Sequence, residues 1–359
     1  MKKTKLLTVL VCAALAFSLA ACSNSSGGSS DDPQPEKKPS IPTGEDPGIG
    51  GFGGGGNGEE GNTSSATIIE FGSWPQTMNR DNTIFMSHDT TTVNGWEVHT
   101  GSDEKYYVKV GDYYYKMEPI KWRVLTDNYD HDGNSATPGK KLLLADKILT
   151  GCNYFSGVLS PKDRTASDGT TPVYSNNYEY STVRAFLNGL SFPIIYNGVN
   201  QEEDTNFVGK GFFQTAFSEE EQAKIATTRV VNNAESTNPD GIPALWNNGV
   251  NPYACNTTED KIFLLSQQEV TRAAYGFEAY DKRGKDSKRL RKPTDYAVKI
   301  LTGSAINDSD EDDWGWPWDL RTPHWNTSDG IRYVNGYNDT DWESIVGNAP
   351  GVVPALCLN

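Results

Sequence analysis

Three carboxylates and three tryptophans stand together near the C-terminal end of the chain, in a pattern that could serve carbohydrate chemistry. They are Asp312, Asp313, Trp314, Trp316, Trp318 and Asp319. A glycosidase needs two carboxylates at a set separation across the scissile bond. Linear spacing does not give that separation, and on an acidic chain such side chains are more often solvated charges. An exported carbohydrate-active enzyme is therefore kept as the alternative hypothesis.

The other residues that could support catalysis lack the partners that they would need. Four histidines are present: His88, His99, His131 and His324. No two of them are spaced at i, i+4 on a helix, so a zinc site is not expected. No G-x-S-x-G motif occurs, and neither Cys255 nor Cys357 stands beside a histidine that would lower its pKa. The sequence predicts a protein that is not an enzyme.

One loop resembles part of a calcium-binding sequence. Asn128, Asp130, Asp132 and Gly133 match positions 1, 3, 5 and 6 of an EF-hand loop. Position 12, where a bidentate glutamate is expected, is Gly139, and no flanking helix is predicted. Asp, Asn and Gly are also the ordinary residues of a turn. We therefore predict no cofactor, with calcium at Asn128, Asp130 and Asp132 as the alternative.

The strongest functional signal is the mixture of rings and short polar side chains in residues 314–358, which hold five of the nine tryptophans. Rigid aromatic rings offer contact area at low entropic cost, and short polar side chains add adaptable hydrogen bonds. The same mixture makes a poor core, because each buried amide or carboxylate would need a partner. We expect a ligand face within residues 324–348. Its candidate contact residues are His324, Trp325, Asn326, Asp329, Arg332, Tyr333, Asn335, Tyr337, Asn338, Asp341 and Trp342.

The residues just before this face have two open interpretations. Trp314, Trp316 and Trp318 recur at period two, which on a strand places them on one side. They form either a stacking platform or part of the core. Arg321 is expected to donate to backbone carbonyls rather than to meet a ligand.

The first 66 residues are not expected to belong to the fold. Lysines 2, 3 and 5 precede an apolar run that is too short to span a membrane, which is typical of a signal peptide over residues 1–21. The run ends in Leu-Ala-Ala-Cys22, which resembles a bacterial lipobox. That resemblance implies lipidation of Cys22 and a firm membrane anchor. Residues 22–66 are rich in Gly, Ser and Pro and predict a flexible tether.

Residues 67–359 are long enough for one large domain or two fused units. With a formal net charge of −15, the basic patch that a nucleic-acid binder needs is not expected. Cys152, Cys255 and Cys357 remain after export and lipidation. An exported chain could pair two of them, and three free thiols are equally compatible with the sequence.

The predicted elements are short strands and short helices joined by polar connections. Alternation around Gly111 and Asp112 predicts a β-hairpin over residues 105–117. Further strands are expected at 68–71, 121–125, 141–145 and 261–265. Capping signals predict helices over 181–187, 218–226, from 266 onward and 295–301. This pattern favours an α+β class with an antiparallel sheet over a doubly wound fold.

Eight ordered segments together resemble an uncharacterised domain common in lipoproteins of treponemes and gut bacteria. They are residues 71–76 (FGSWPQ), 120–125 (IKWRVL), 143–149 (LLADKIL), 181–188 (STVRAFLN), 215–218 (TAFS), 261–266 (KIFLLS), 320–323 (LRTP) and 351–356 (GVVPAL). The family usually carries Trp-Trp-Leu-Arg-Ser-Pro where this chain has Trp318-Asp319-Leu320-Arg321-Thr322-Pro323. Asp319 departs from that pattern.

The C-terminal order, with Leu-Arg-Thr-Pro and a closing Gly-Val-x-Pro-Ala, is also similar to C-type-lectin-like domains of the formylglycine-generating-enzyme type. Those include treponemal surface proteins diversified by retroelements. Residues 324–348 are rich in the residue types found at the diversified positions of such proteins, namely Asn, Asp, Ser, Thr, Tyr and His. The resemblance implies a binding face without catalysis. It also implies that the terminal strand, residues 352–358, pairs with the first strand near Ile68, with Pro354 at an edge or bulge.

The leading hypothesis is a lipid-anchored recognition or adhesion protein, exported to the outer membrane and exposed on the cell surface. Its partners are the membrane, through Cys22, and an extracellular protein or glycan. A structural envelope lipoprotein is a further alternative.

Overall fold

Antiparallel strands dominate the computed structural model of the protein. It describes residues 67–155, 164–165, 170, 172–192, 195–196, 199–200, 206–232, 237, 255–279, 288–304, 315–324, 328–335, 343–345 and 350–359. The strands are β1 (Ile68–Met78), β2 (Met86–Val93), β3 (Trp96–Gly101), β4 (Tyr106–Val110), β5 (Tyr113–Tyr129), β6 (Lys140–Ala145), β7 (Thr150–Gly151), β8 (Arg164–Thr165), β9 (Ile195–Tyr196), β10 (Val199–Asn200), β11 (Thr228–Val230), β12 (Thr258–Asp260), β13 (Ile262–Phe263), β14 (Trp318–Pro323), β15 (Gly330–Val334), β16 (Glu343–Ile345), β17 (Gly351–Val352) and β18 (Ala355–Leu358). The helices are α1 (Thr182–Asn188), α2 (Phe212–Ala216), α3 (Glu219–Gln222) and α4 (Asp295–Thr302), with short 3-10 turns at Glu269–Thr271 and Ala273–Tyr275.

The main sheet is built around β5, which is 17 residues long. Its strand order is β13-β18-β6-β5-β4-β3-β2, and β1 also pairs with β5. Register shifts divide β5 into segments that face different neighbours. Such bulges bend a strand and increase its twist. One strand can therefore connect the outer hairpins to the buried centre of the sheet.

Two hairpins form the outer end of this sheet. Gly111 takes φ 60° between β4 and β5, so the predicted hairpin is confirmed. The β2–β3 hairpin, in contrast, falls in a stretch from which no element was predicted. Its turn is Asn94-Gly95, with φ 47° and 81°, the signal expected for a two-residue hairpin.

The helix ends follow their capping residues. The Ser181 hydroxyl accepts from Arg184 N at the start of α1, and Gly189 ends it with φ 65°. Ser218 and Glu221 form a complete capping box, but α3 ends at Gln222, earlier than predicted. The helix predicted over 295–301 is confirmed as α4, which ends at Gly303. The capping signals therefore located helix starts better than helix lengths.

The core is formed by the inner face of the main sheet and by the aromatic side chains packed on it. Trp74 lies 4.8 Å from Phe212 and 5.1 Å from Trp96, ring centre to ring centre. Leu142, Leu143 and neighbouring β6 residues are fully buried. These rings join the first strand of the chain to α2 and the β3 hairpin.

A second, five-stranded sheet has the order β16-β15-β14-β17-β7. The chain leaves it at Pro354 and enters the main sheet as β18, where Leu356 opposes Leu143 of β6 and Ile262 of β13. The predicted pairing of the terminal strand with β1 is therefore wrong. Pro354 marks the crossing between sheets, where its missing N–H breaks no ladder.

The predicted α+β class, with an antiparallel sheet and short helices, is confirmed. The predicted signal peptide, lipidated Cys22 and tether over 22–66 lie outside the described residues. In the part of the chain that the structure describes, no helix is long and apolar enough to cross a membrane.

Candidate functional site

Strand β14 forms a completely buried base beside the predicted ligand face. All six of its residues, Trp318–Pro323, are buried. The indole Nε1 of Trp318 donates to Arg289 O at 3.2 Å. Trp316 is half-buried and packs against the core, whereas Trp314 lies outside the described residues. Trp318 therefore belongs to the core rather than to a stacking platform.

A buried ion pair fixes β14 to the neighbouring turn. Arg321 Nη1 donates to the carboxylate of Glu269 and, at 2.7 Å, to Leu264 O. The Tyr129 hydroxyl donates to Glu269 at 2.7 Å. Burial alone would raise the pKa of Glu269, but the Arg321 charge and these hydrogen bonds bring it below its ordinary value. The structural role expected of Arg321 is confirmed.

The sequence did not reveal the acidic partner of Arg321. In the sequence, Glu269 is simply the fourth residue of the capping signal Ser266-Gln267-Gln268-Glu269. That capping box does form, since Ser266 N donates to Glu269 at 2.7 Å and Glu269 N donates to Ser266 Oγ at 3.2 Å. It opens a 3-10 turn rather than an α-helix. One carboxylate thus serves a cap and an ion pair 52 residues apart in sequence.

Asp319 is fully buried and its carboxyl group has no polar partner within the described residues. Burial raises the pKa of this group well above its ordinary value of 3.8. A carboxyl group that is inaccessible to solvent cannot reach a sugar. The interpretation of Asp319 as a glycosidase carboxylate is therefore corrected. Asp312 and Asp313 lie outside the described residues.

The neighbouring strand β15 carries the accessible part of the predicted face. Arg332 and Tyr333 are half-buried, as is Asp329 just before the strand. The start of β15 is held from below by Asn176, whose Nδ2 donates to Gly330 O at 3.1 Å. These three side chains therefore stand on a fixed backbone. We call Asp329, Arg332 and Tyr333 the β15 surface, although Arg332 and Tyr333, as neighbours on the strand, point to opposite faces of the sheet.

Two predicted contact residues are not accessible. His324 is 7% exposed and Asn335 is 8% exposed. His324 directly follows β14 and Asn335 directly follows β15, next to buried residues of both strands. His324 N donates to Gly330 O at 2.8 Å. Their assignment as contact residues is corrected. The remaining candidates lie outside the described residues: Trp325, Asn326, Tyr337, Asn338, Asp341 and Trp342.

The calcium-like loop is organised as a set of turns. Side-chain oxygens of Asn128, Asp130 and Asp132 accept from backbone N–H groups at 3.1, 2.8 and 2.9 Å. The hydrogen bond from Asn134 N is the main cause that lowers the pKa of Asp132. No group of three metal-binding side chains occurs among the described residues. The absence of a cofactor stays a prediction, with calcium at this loop as its alternative.

The three cysteines of the domain form no disulfide with one another in the described part of the chain. Burial raises the pKa of Cys255 to about 11 and that of Cys357 to about 12. Such thiols stay protonated and unreactive at neutral pH. Their environment is that of small packed side chains.

Comparison with known proteins gives one match. A family model described as a domain of unknown function (DUF6273) matches residues 138–359. This stretch begins just before β6 and includes all of β14, β15 and the closing strands. Neither the curated proteins nor the solved structures gave a match.

Proposed function

This chain belongs to the DUF6273 family, and we propose that it is a lipid-anchored recognition protein that binds an extracellular protein or glycan without catalysis. Cys22 carries the anchor, and residues 22–66 hold the domain away from an outer membrane. The β15 surface provides the described part of the ligand face.

One observation carries the proposal. Strand β14 is buried at all six positions, while its neighbour β15 leaves Arg332 and Tyr333 half-exposed. Arginine and tyrosine are enriched among the residues that dominate binding energies. A contact residue on a strand with a rigid base loses little conformational entropy when it binds. The site thus combines suitable side chains with a preorganised backbone.

The alternatives receive less support. A carbohydrate-active enzyme would have to use carboxylates other than Asp319, which is enclosed. A purely structural lipoprotein does not require an arginine and a tyrosine at the rim of a rigid base. The C-type-lectin-like resemblance stays a prediction, supported by the order of the C-terminal segments and weakened by the position of β18 next to β6.

The experiment is a pair of arrays, one of glycans and one of host extracellular proteins, probed with the full chain. We expect reproducible binding to a restricted set of ligands. Hydrolysis of an arrayed glycan would favour the enzyme, and a complete lack of binding on both arrays would favour the structural role.

A further inference from the structure

A second, independent site lies on β1 and β5, which precede the stretch matched by the family model. A cleft of about 330 Å³ opens between these strands and the segment that follows β6. Along β5, Ile120 and Trp122 are buried whereas Pro119 and Lys121 are exposed. The cleft, which Pro119 and Lys121 line, therefore lies on the solvent face of the strand pair. Its volume is near the lower end of the range of small-molecule sites, about 300 to 1,000 Å³.

The walls of the cleft are held by hydrogen bonds from side chains. Gln76 Nε2 donates to Pro119 O at 2.9 Å, and the Thr77 hydroxyl donates to Glu118 at 2.7 Å. On the opposite side, Trp74 Nε1 donates to Leu149 O at 2.9 Å. These hydrogen bonds connect β1 to β5 and to the segment that follows β6. The cleft is therefore a built feature of the fold rather than a gap between loose loops.

A second set of polar groups in the cleft is not used in this way. Glu70 and Lys121 are cross-strand partners, so their side chains stand on the same face. Among the described ion pairs and side-chain hydrogen bonds, none involves Glu70, Lys121 or Lys147, although Asp146 beside them is bound by Arg123 at 3.1 Å. One carboxylate and two ammonium groups therefore remain available to a ligand.

We propose that this cleft binds a small zwitterion, a free α-amino acid or a dipeptide. The ligand carboxylate lies between Lys121 and Lys147, and its ammonium group lies against Glu70. The described residues lining the cleft include no aromatic ring, so it lacks the stacking platform that favours a neutral sugar. Its carboxylate and ammonium groups instead match a ligand that carries both charges on a short frame.

The test is ligand-observed NMR on the full chain in detergent. The probes are the free L-amino acids and dialanine, together with N-acetylated and amidated alanine, which each lack one charge, and with glucose. We expect at least one zwitterion to bind. Its binding should weaken at least about tenfold when either charge is removed, because each loss removes a charge-assisted hydrogen bond.

Variants separate the site from non-specific attraction. Lys121→Ala and Glu70→Gln should each weaken binding of that zwitterion by about tenfold. Lys116→Ala is the matched control, because Lys116 is on the same strand and does not line the cleft, and it should leave binding unchanged. The proposal is overturned if no zwitterion binds, if glucose binds as well as the zwitterion, or if the Lys121 and Glu70 variants bind like the wild-type chain. None of these results bears on the β15 surface.

Discussion

Asp319 and Tyr333 are cross-strand partners on β14 and β15, yet Asp319 is fully buried and Tyr333 is half-exposed. Opposed side chains of antiparallel strands point to the same face. The boundary between core and surface therefore passes between these two strands. A recognition surface placed at that boundary has rigid support on one side and access to a ligand on the other.

The buried carboxyl group of Asp319 should make the domain less stable as the pH rises. Burial raises its pKa in the folded state above 3.8. The stability that this group contributes is therefore fully present below pH 3.8 and is lost as the pH rises towards the raised pKa. Asp319→Asn should remove this pH dependence. Urea unfolding of both proteins between pH 4 and about pH 8 would measure it, and parallel curves would contradict the expectation.

Asp319→Leu should stabilise the domain at neutral pH by about 1 to 3 kcal/mol. Leucine has a similar shape, and it removes a buried polar group for which the described residues offer no hydrogen-bond partner. The measurement is the urea midpoint at neutral pH, with Asp319→Asn as the control that keeps a polar side chain. A leucine variant less stable than the asparagine variant would show that the carboxyl group is bound in solution.

Loss of Arg321 should be costly because it strands the Glu269 carboxylate in the core. Arg321→Met is expected to reduce the free energy of unfolding by about 3 to 5 kcal/mol. Arg321→Met combined with Glu269→Gln should cost less than the two single changes added together, since no charge is then left alone. Chemical denaturation measures all three variants. Strict additivity would mean that the two side chains do not interact.

Calcium should produce neither heat nor a shift in melting temperature. The side-chain oxygens of Asn128, Asp130 and Asp132 already accept backbone N–H groups, and a cation would have to compete with those bonds. Titration calorimetry on the full chain is the measurement. Saturable heat that disappears in Asp130→Ala would show that the loop rearranges around a metal ion.

Cys22→Ser should move the protein from the membrane fraction to the soluble exported fraction. A lipidated cysteine would hold the chain in the membrane by its acyl groups. Fractionation with detergent phase separation checks this. Replacement of Cys152 by Ser is the matched control and should leave the protein in the membrane fraction. Detergent partitioning that survives Cys22→Ser would exclude the lipid anchor.

Local signals in the sequence predicted local structure well. The Gly111 turn, the Ser181 cap and the capping signal of α4 each act within a few residues, and each is found where the sequence predicts it. The Asn94-Gly95 turn is as clear in the sequence as the Gly111 turn. The strands on either side of it are polar, however, and they do not show the alternation of apolar residues that predicts a strand. A solvent-facing hairpin needs none, which is why it was missed.

Relationships between distant segments were not predictable in the same way. The position of β18 beside β6 depends on how the C-terminal segment crosses from the five-stranded sheet, as β17, to the main sheet, as β18. Local sequence patterns do not indicate which strand β18 pairs with. The burial of His324 and Asn335 likewise depends on their positions at the ends of β14 and β15. The composition of residues 324–348 predicts a polar and aromatic segment. It does not distinguish which of those residues are exposed and which are buried.

The most direct test of the central claim is binding by Arg332→Ala/Tyr333→Ala on the two arrays. Tyr106→Ala, at a tyrosine that is 42% exposed on β4, is the matched control. We predict that the double variant binds its array ligands at least about 2 kcal/mol more weakly, roughly thirtyfold, while a cooperative urea unfolding transition shows that it is folded. Full binding by the double variant, with Tyr106→Ala equally active, would contradict recognition through the β15 surface.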